Sequence, residues 1–162
     1  MDHIDKILLQ WQQERPDLDV GPMGTIGRIK RLHQHLIRGM EKTWAAHGLN
    51  GASFDVLATL RRAAPPYALS PGELMEATMV TSGTMTHRID QLEKAGLIER
   101  IRNPDDGRSF LISLSPQGHA VIDEAVTAHV ETQAQLTKVL TTEQRNQLDE
   151  LLRAFLSGFE GK

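Results

Sequence analysis

The chain contains no cysteine, which excludes disulfides, thiol redox switching and Cys-ligated zinc. No apolar run approaches the ~18 residues needed to cross a bilayer. The opening stretch, MDHIDKILLQWQQERPD, has early acids and no signal-peptide layout, so a cytoplasmic protein is expected. There is no HExxH, no Cys/His cluster, no GxSxG and no phosphate-cradling glycine loop. His33 and His35 lie two apart on a helix and point to different sides, while His3, His47, His119 and His129 are isolated. Neither an enzyme, a metal site nor a cofactor is expected. Internal repeats and low-complexity segments are also missing.

What is present is an ordinary folding chain of 162 residues, 40% hydrophobic and 24% charged, enough for one domain. Its net charge of -3 argues weakly against a nucleic-acid partner. The distribution says otherwise. Residues 1–20 and 116–162 each carry -3, and residues 21–115 carry +3.

Apolar periodicity and end signals give the order of elements. Ile4, Ile7, Leu8 and Trp11 predict a short helix over 2–15. Met23, Ile26, Ile29, Leu32, Leu36, Met40 and Trp44 predict a long one that Gly48 closes. Asn50 caps a third, which stops before Pro65-Pro66, and Ser70-Pro71-Gly72-Glu73 opens a fourth through a capping box. A few residues later a helix begins near Ser82 and carries Met85, Ile89 and Leu92 to Gly96, which is the layout of a helix-turn-helix. Two strand-like runs, LIERIR and RSFLISLS, flank Asp106-Gly107, a favoured pair for a tight hairpin turn. Ser115-Pro116 starts a long helix, and Thr141 with Gln144 caps a last one striped by Leu148, Leu151, Leu152, Phe155, Leu156 and Phe159.

A helix-turn-helix followed by a hairpin is a winged helix. The expected fold is mainly α with a small β-hairpin, a winged helix-turn-helix with N- and C-terminal dimerisation helices. Residues 1–20 form an extra helix, 21–48 and 116–162 the dimerisation helices, and 49–115 the DNA-binding region. In the recognition helix the inward stripe leaves Ser82, Thr84, Thr86, His87 and Gln91 for base edges in a major groove. Arg102 and Arg108 on the wing suit the minor groove or flanking phosphates. Arg88 lies three after Met85 and four before Leu92, on the inward stripe. A buried Arg needs an acceptor, and Asp55, inside the apolar run FDVLATL, is the natural one.

The segment SGTMTHRIDQLEKAGLIERIRNPDDGRSFLISLSPQG resembles the MarR family of prokaryotic transcription regulators, and the likeness runs from about Gly21 to Phe159. It implies a homodimeric, sequence-specific repressor on a pseudo-palindromic operator in double-stranded DNA, and a wing Asp106 that braces Arg108. Trp11, the stretch GLNGASFDVLATLRRAAPP, Arg88 and Arg100 look like the urate-responsive HucR/PecS-like branch. That likeness implies an effector site at Trp11, Asp55, Arg88 and Arg100. Two Arg, one Asp and an indole leave one positive charge beside a stacking surface, which suits a small anionic aromatic effector such as urate or another purine. The alternative is a ligand-independent winged-helix module that binds DNA or protein.

Overall fold

The computed structural model describes residues 1–78 and 82–160. These residues form seven helices and three short strands. No helix among them is long and apolar enough to cross a membrane. The chain divides into two compact units, Met1–Met40 and Glu41–Lys162.

In the first unit, α1 (His3–Glu14) starts at a reciprocal cap that the sequence reading missed. The Asp2 carboxylate accepts the Asp5 N–H at 2.9 Å, and Asp5 accepts the Asp2 N–H at 2.7 Å. Arg28, on α2 (Gly21–Ala46), donates to both carboxylates and holds the Asp2 carboxyl below its usual range. Ile4 is buried, and it lies where a Cβ on Gly27 would sit 3.2 Å from its Cδ1. Met23, Ile26, Ile29 and Leu32 stay exposed along α2.

The second unit holds the winged helix. Gly48 and Gly96 both adopt φ +71°, and the next N–H reaches back to Trp44 and Leu92 respectively. These are Schellman ends to α2 and to α5 (Ser82–Lys94). Asn50 caps α3 (Gly51–Arg62) through Ser53. Ser70 and Glu73 exchange hydrogen bonds at the start of α4 (Pro71–Thr78). The turn expected between α4 and α5 lies outside the described residues. Leu57 and Leu60 of α3, Leu74 of α4, and Met85, Ile89 and Leu92 of α5 make the core.

β2 (Ile98–Arg102) and β3 (Phe110–Leu114) form the hairpin, with Arg102 opposite Phe110 as the last pair. The connection is therefore the seven-residue loop 103–109, not a tight turn centred on Asp106-Gly107. Side-chain hydrogen bonds decide this. Asn103 N–H donates to the Ser109 carbonyl at 3.1 Å, and its amide donates to Ser109 Oγ at 3.0 Å. Asp106 then turns the chain inside the loop, its carbonyl accepting the Ser109 N–H. A strand too short to read from sequence, β1 (Ala68–Leu69), pairs with the other edge of β3, so the sheet runs β1-β3-β2, all antiparallel.

Ser115 caps α6 (Pro116–Thr137) by accepting the Gly118 N–H at 2.9 Å. Its own Oγ donates to the Gly96 carbonyl at 2.6 Å, and its N–H donates to the Leu97 carbonyl. One residue thus ties the start of α6 to the end of the recognition helix. Thr141 and Gln144 cap α7 (Thr142–Glu160) as expected. No described α7 residue is buried, and its stripe of Leu148, Leu151, Leu152, Phe155, Leu156 and Phe159 faces out.

His129 of α6 stacks on Trp44 at 5.8 Å and meets Phe54 at 4.6 Å between ring centroids. Its Nδ1 is buried without a partner among the described residues, as is Trp44 Nε1. Burial holds this imidazole below its usual pKa of 6.5. The unfolded chain takes the proton near that pH and the folded chain resists it. The stability contributed by neutral His129 is therefore full above about pH 6.5 and is lost as pH falls below it. Tm is expected to drop between about pH 7 and about pH 5.5, above the carboxylate range. His129→Phe should flatten that drop, and an unchanged slope in the variant would assign it to other groups.

Candidate nucleic-acid interface and effector cavity

The recognition helix α5 sorts its side chains by its core stripe. Met85, Ile89 and Leu92 are buried at 1–4% exposure, which turns Thr84, Thr86, His87 and Gln91 outward as exposed residues. The Ser82 side chain lies outside what the structure describes. Short polar groups on an outward helix face match the donors and acceptors of a major groove. On the wing, Arg102 and Arg108 are both exposed. The Asp106 carboxylate accepts the backbone N–H of Arg108 at 3.1 Å. It thus braces the chain that carries Arg108.

Arg88 is only 22% exposed, and its Nη1 stands 3.8 Å from Asp55 Oδ2. That separation is an ion pair without hydrogen-bond contact. Burial raises the Asp55 carboxyl above its usual pKa, and Arg88 and Arg62 only partly offset it. A raised carboxyl pKa works in the opposite direction to His129. Ionised Asp55 costs stability as pH rises through its range. Beside the pair, a cavity of about 370 Å³ opens between Asn50 and Ser53 at the start of α3 and Thr84, His87, Arg88 and Gln91 on α5. This is within the size range of small-molecule sites. A wider, shallower groove of about 770 Å³ runs between the end of α2 and α6, past Lys42, His47, Glu131 and Gln135. It contains none of the residues expected from sequence to contact DNA or an effector.

Arg100 has other partners. It donates to Asp90 at 2.6 Å and to Glu93 at 2.5 Å, both on α5. The ionic groups so gathered are Arg88 and Arg100 against Asp55, Asp90 and Glu93. The set carries one net negative charge, where the sequence reading gave one positive. Asp90 and Glu93 were missed, although two acids three apart on the helix preceding a strand arginine were a visible signal. Trp11 belongs to the first unit, where it is 42% exposed. No group of three or more His, Asp or Glu side chains that could hold a metal ion occurs among the described residues.

A family model described as MarR family matches residues 47–109. Over 149 residues the chain is 39% identical to the HTH-type transcriptional regulator PecS of Dickeya dadantii, covering 92% of this chain and 90% of that one. Its structure is similar to that of a mutant MarR from E. coli complexed with operator DNA, with TM-score 0.71 and 27% identity over 90% of this chain and 97% of that one. It is also similar to BpsR of Bordetella bronchiseptica, a protein whose DNA binding is regulated by 6-hydroxynicotinic acid. There the TM-score is 0.69 and the identity 26%, over 80% of this chain and 90% of that one.

Proposed function

The chain belongs to the MarR family of DNA-binding transcriptional regulators, and on that premise we propose that it is a homodimeric cytoplasmic repressor released from its operator by a small anionic aromatic effector such as urate or another purine. The uncovered stripe of α7 supports the dimer. Six large apolar side chains in one row are costly in water, and a second copy of the same face removes them from it. Two-fold symmetry then sets the recognition helices in successive major grooves, roughly 34–36 Å apart. Ser82, Thr84, Thr86, His87 and Gln91 read bases, while Arg102 and Arg108 hold phosphates.

The observation that carries the effector reading is Arg88. It sits on the recognition helix itself, beside a cavity, in a loose pair with a carboxylate that burial has already destabilised. A planar anion that forks onto Arg88 with full hydrogen bonds competes well against Asp55. The displaced carboxylate repels it, and the helix shifts. The relative regulated by 6-hydroxynicotinic acid supports this class of ligand. Coupling of this kind needs a difference in effector affinity between free and DNA-bound shapes of about 1–3 kcal/mol. One observation favours the ligand-independent alternative: Arg100 is already held by two acids.

Thermal shift with urate, xanthine and salicylate tests the reading. A purine is expected to raise the Tm of the wild type and not of Arg88→Ala. An Arg88→Ala protein that still binds DNA and is still released by the same ligand overturns the effector site. A wild type indifferent to all three compounds favours the ligand-independent module.

A further inference from the structure

Arg100 joins three elements. Its guanidinium forks onto Asp90 and Glu93, one turn apart on α5, and lies over the Phe110 ring of β3 at 5.5 Å from the centroid. The planar guanidinium of an arginine suits donation to two carboxylates while its face lies on a ring. Alternation along β2 puts Ile98, Arg100 and Arg102 on one face. Ile98 is buried at 2% exposure. Arg102 is the wing cation expected on phosphate. Arg100 stands between them, two residues before Arg102, and Phe110 is the register partner of Arg102.

We propose that Arg100, Asp90, Glu93 and Phe110 form a latch that sets the angle between the recognition helix and the wing, with Arg100 as a positioning residue for DNA recognition. The proposal rests on the DNA-binding reading above. Acids on the flank of a helix that meets phosphates are otherwise unfavourable. The latch neutralises them and uses them to hold the strand that carries Arg102. It also gives Arg100 work that needs no effector.

The sign of one effect separates the latch from simple electrostatics. The wild type first selects a duplex from a random-sequence pool. Affinity for that duplex and its salt slope are then compared for wild type, Asp90→Asn/Glu93→Gln, Arg100→Gln and the triple variant. Without a latch, removing two negative charges tightens binding. With it, the acid double variant binds about 5–20-fold more weakly, as expected for two half-exposed ion pairs and a stacked cation acting together. Its salt slope becomes shallower by about 1–2 as the wing cations lose register. The triple variant stays within about twofold of the double, since all act on one unit. Phe110→Leu leaves every charge in place and is expected to weaken binding about 2–3-fold, which keeps the test open if the double variant folds poorly. Binding by the double variant as tight as wild type, or tighter, overturns the latch. So does an Arg100→Gln protein that keeps its DNA affinity and loses stabilisation by urate, since Arg100 is then an effector contact. A wild type that selects no duplex overturns the DNA-binding reading, and the latch with it.

Discussion

Raising the salt from about 50 to about 200 mM is expected to weaken operator binding about 10³–10⁵-fold, the loss that accompanies ~6–10 phosphate contacts. The direction of the effect follows from where the charge sits. The whole chain carries -3, and only its middle, residues 21–115, is net basic. Each subunit offers exposed Arg102 and Arg108, with His87 on the recognition helix, and a symmetric dimer doubles the set. Acidic ends provide no general attraction to fall back on once those contacts are screened. Fluorescence anisotropy on the selected duplex should give a plot of log affinity against log salt with a slope of about -5 to -9. Arg102→Ala should flatten that slope by about 1 per subunit without changing which sequence is preferred. A slope near zero for the wild type would remove the DNA-binding reading.

The second large effect is expected at Gly118. A Cβ built there would fall 1.8 Å from the Leu97 carbonyl oxygen and 2.8 Å from its carbon, both backbone atoms. That carbonyl already accepts the Ser115 N–H, and Ser115 Oγ holds the Gly96 carbonyl beside it. The start of α6 is pressed onto the junction of α5 and β2, and neither side has a flexible group that can give way. Gly118→Ala is therefore expected to cost about 3 kcal/mol or more, at the upper end for an overpacked core. In a chain of this size that corresponds to a fall in Tm of about 6–12 °C. Gly158 gives the contrast. It lies within α7 with nothing near its missing Cβ. Gly158→Ala gains helix propensity and should raise stability by up to about 1 kcal/mol. Differential scanning calorimetry of the two variants decides the matter. A Gly118→Ala protein as stable as wild type would show that the close approach of α6 to Leu97 does not exist in solution.

Much of this architecture is legible before any coordinates. Asn50, Ser70 with Glu73, Ser115, and Thr141 with Gln144 act on N–H groups within three residues, so their caps can be read directly. Gly48 and Gly96 mark helix ends because only a residue at ease with positive φ fits there. The Arg88–Asp55 pair is legible for a different reason. A charge on an inward stripe must find an acceptor, and the run around Asp55 offers it. The Asp106-Gly107 turn misleads because hairpin statistics assume strands that meet at the turn. Here the side chains of Asn103, Ser109 and Asp106 make hydrogen bonds that hold a longer loop. β1 is missed because two residues carry no period.

The amino-acid sequence alone determined the helices and most of their ends, the order that makes a winged helix, the polar face of α5 opposite its apolar stripe and the apolar row of α7. Each depends on interactions within one turn or one strand, whose spacing is written into the chain. Only the tertiary structure decided the partners of Arg100. Asp90 and Glu93 lie ten and seven residues before it, and they come within reach because α5 packs on β2. Resemblance placed Arg100 at the effector, whereas the packing of helix on strand gave it to two carboxylates and a ring. The same docking left Arg88 at 3.8 Å from Asp55, close enough to attract and too far to hydrogen-bond. Ångström differences of that kind are set by how core side chains fill space between elements, and no local pattern encodes them.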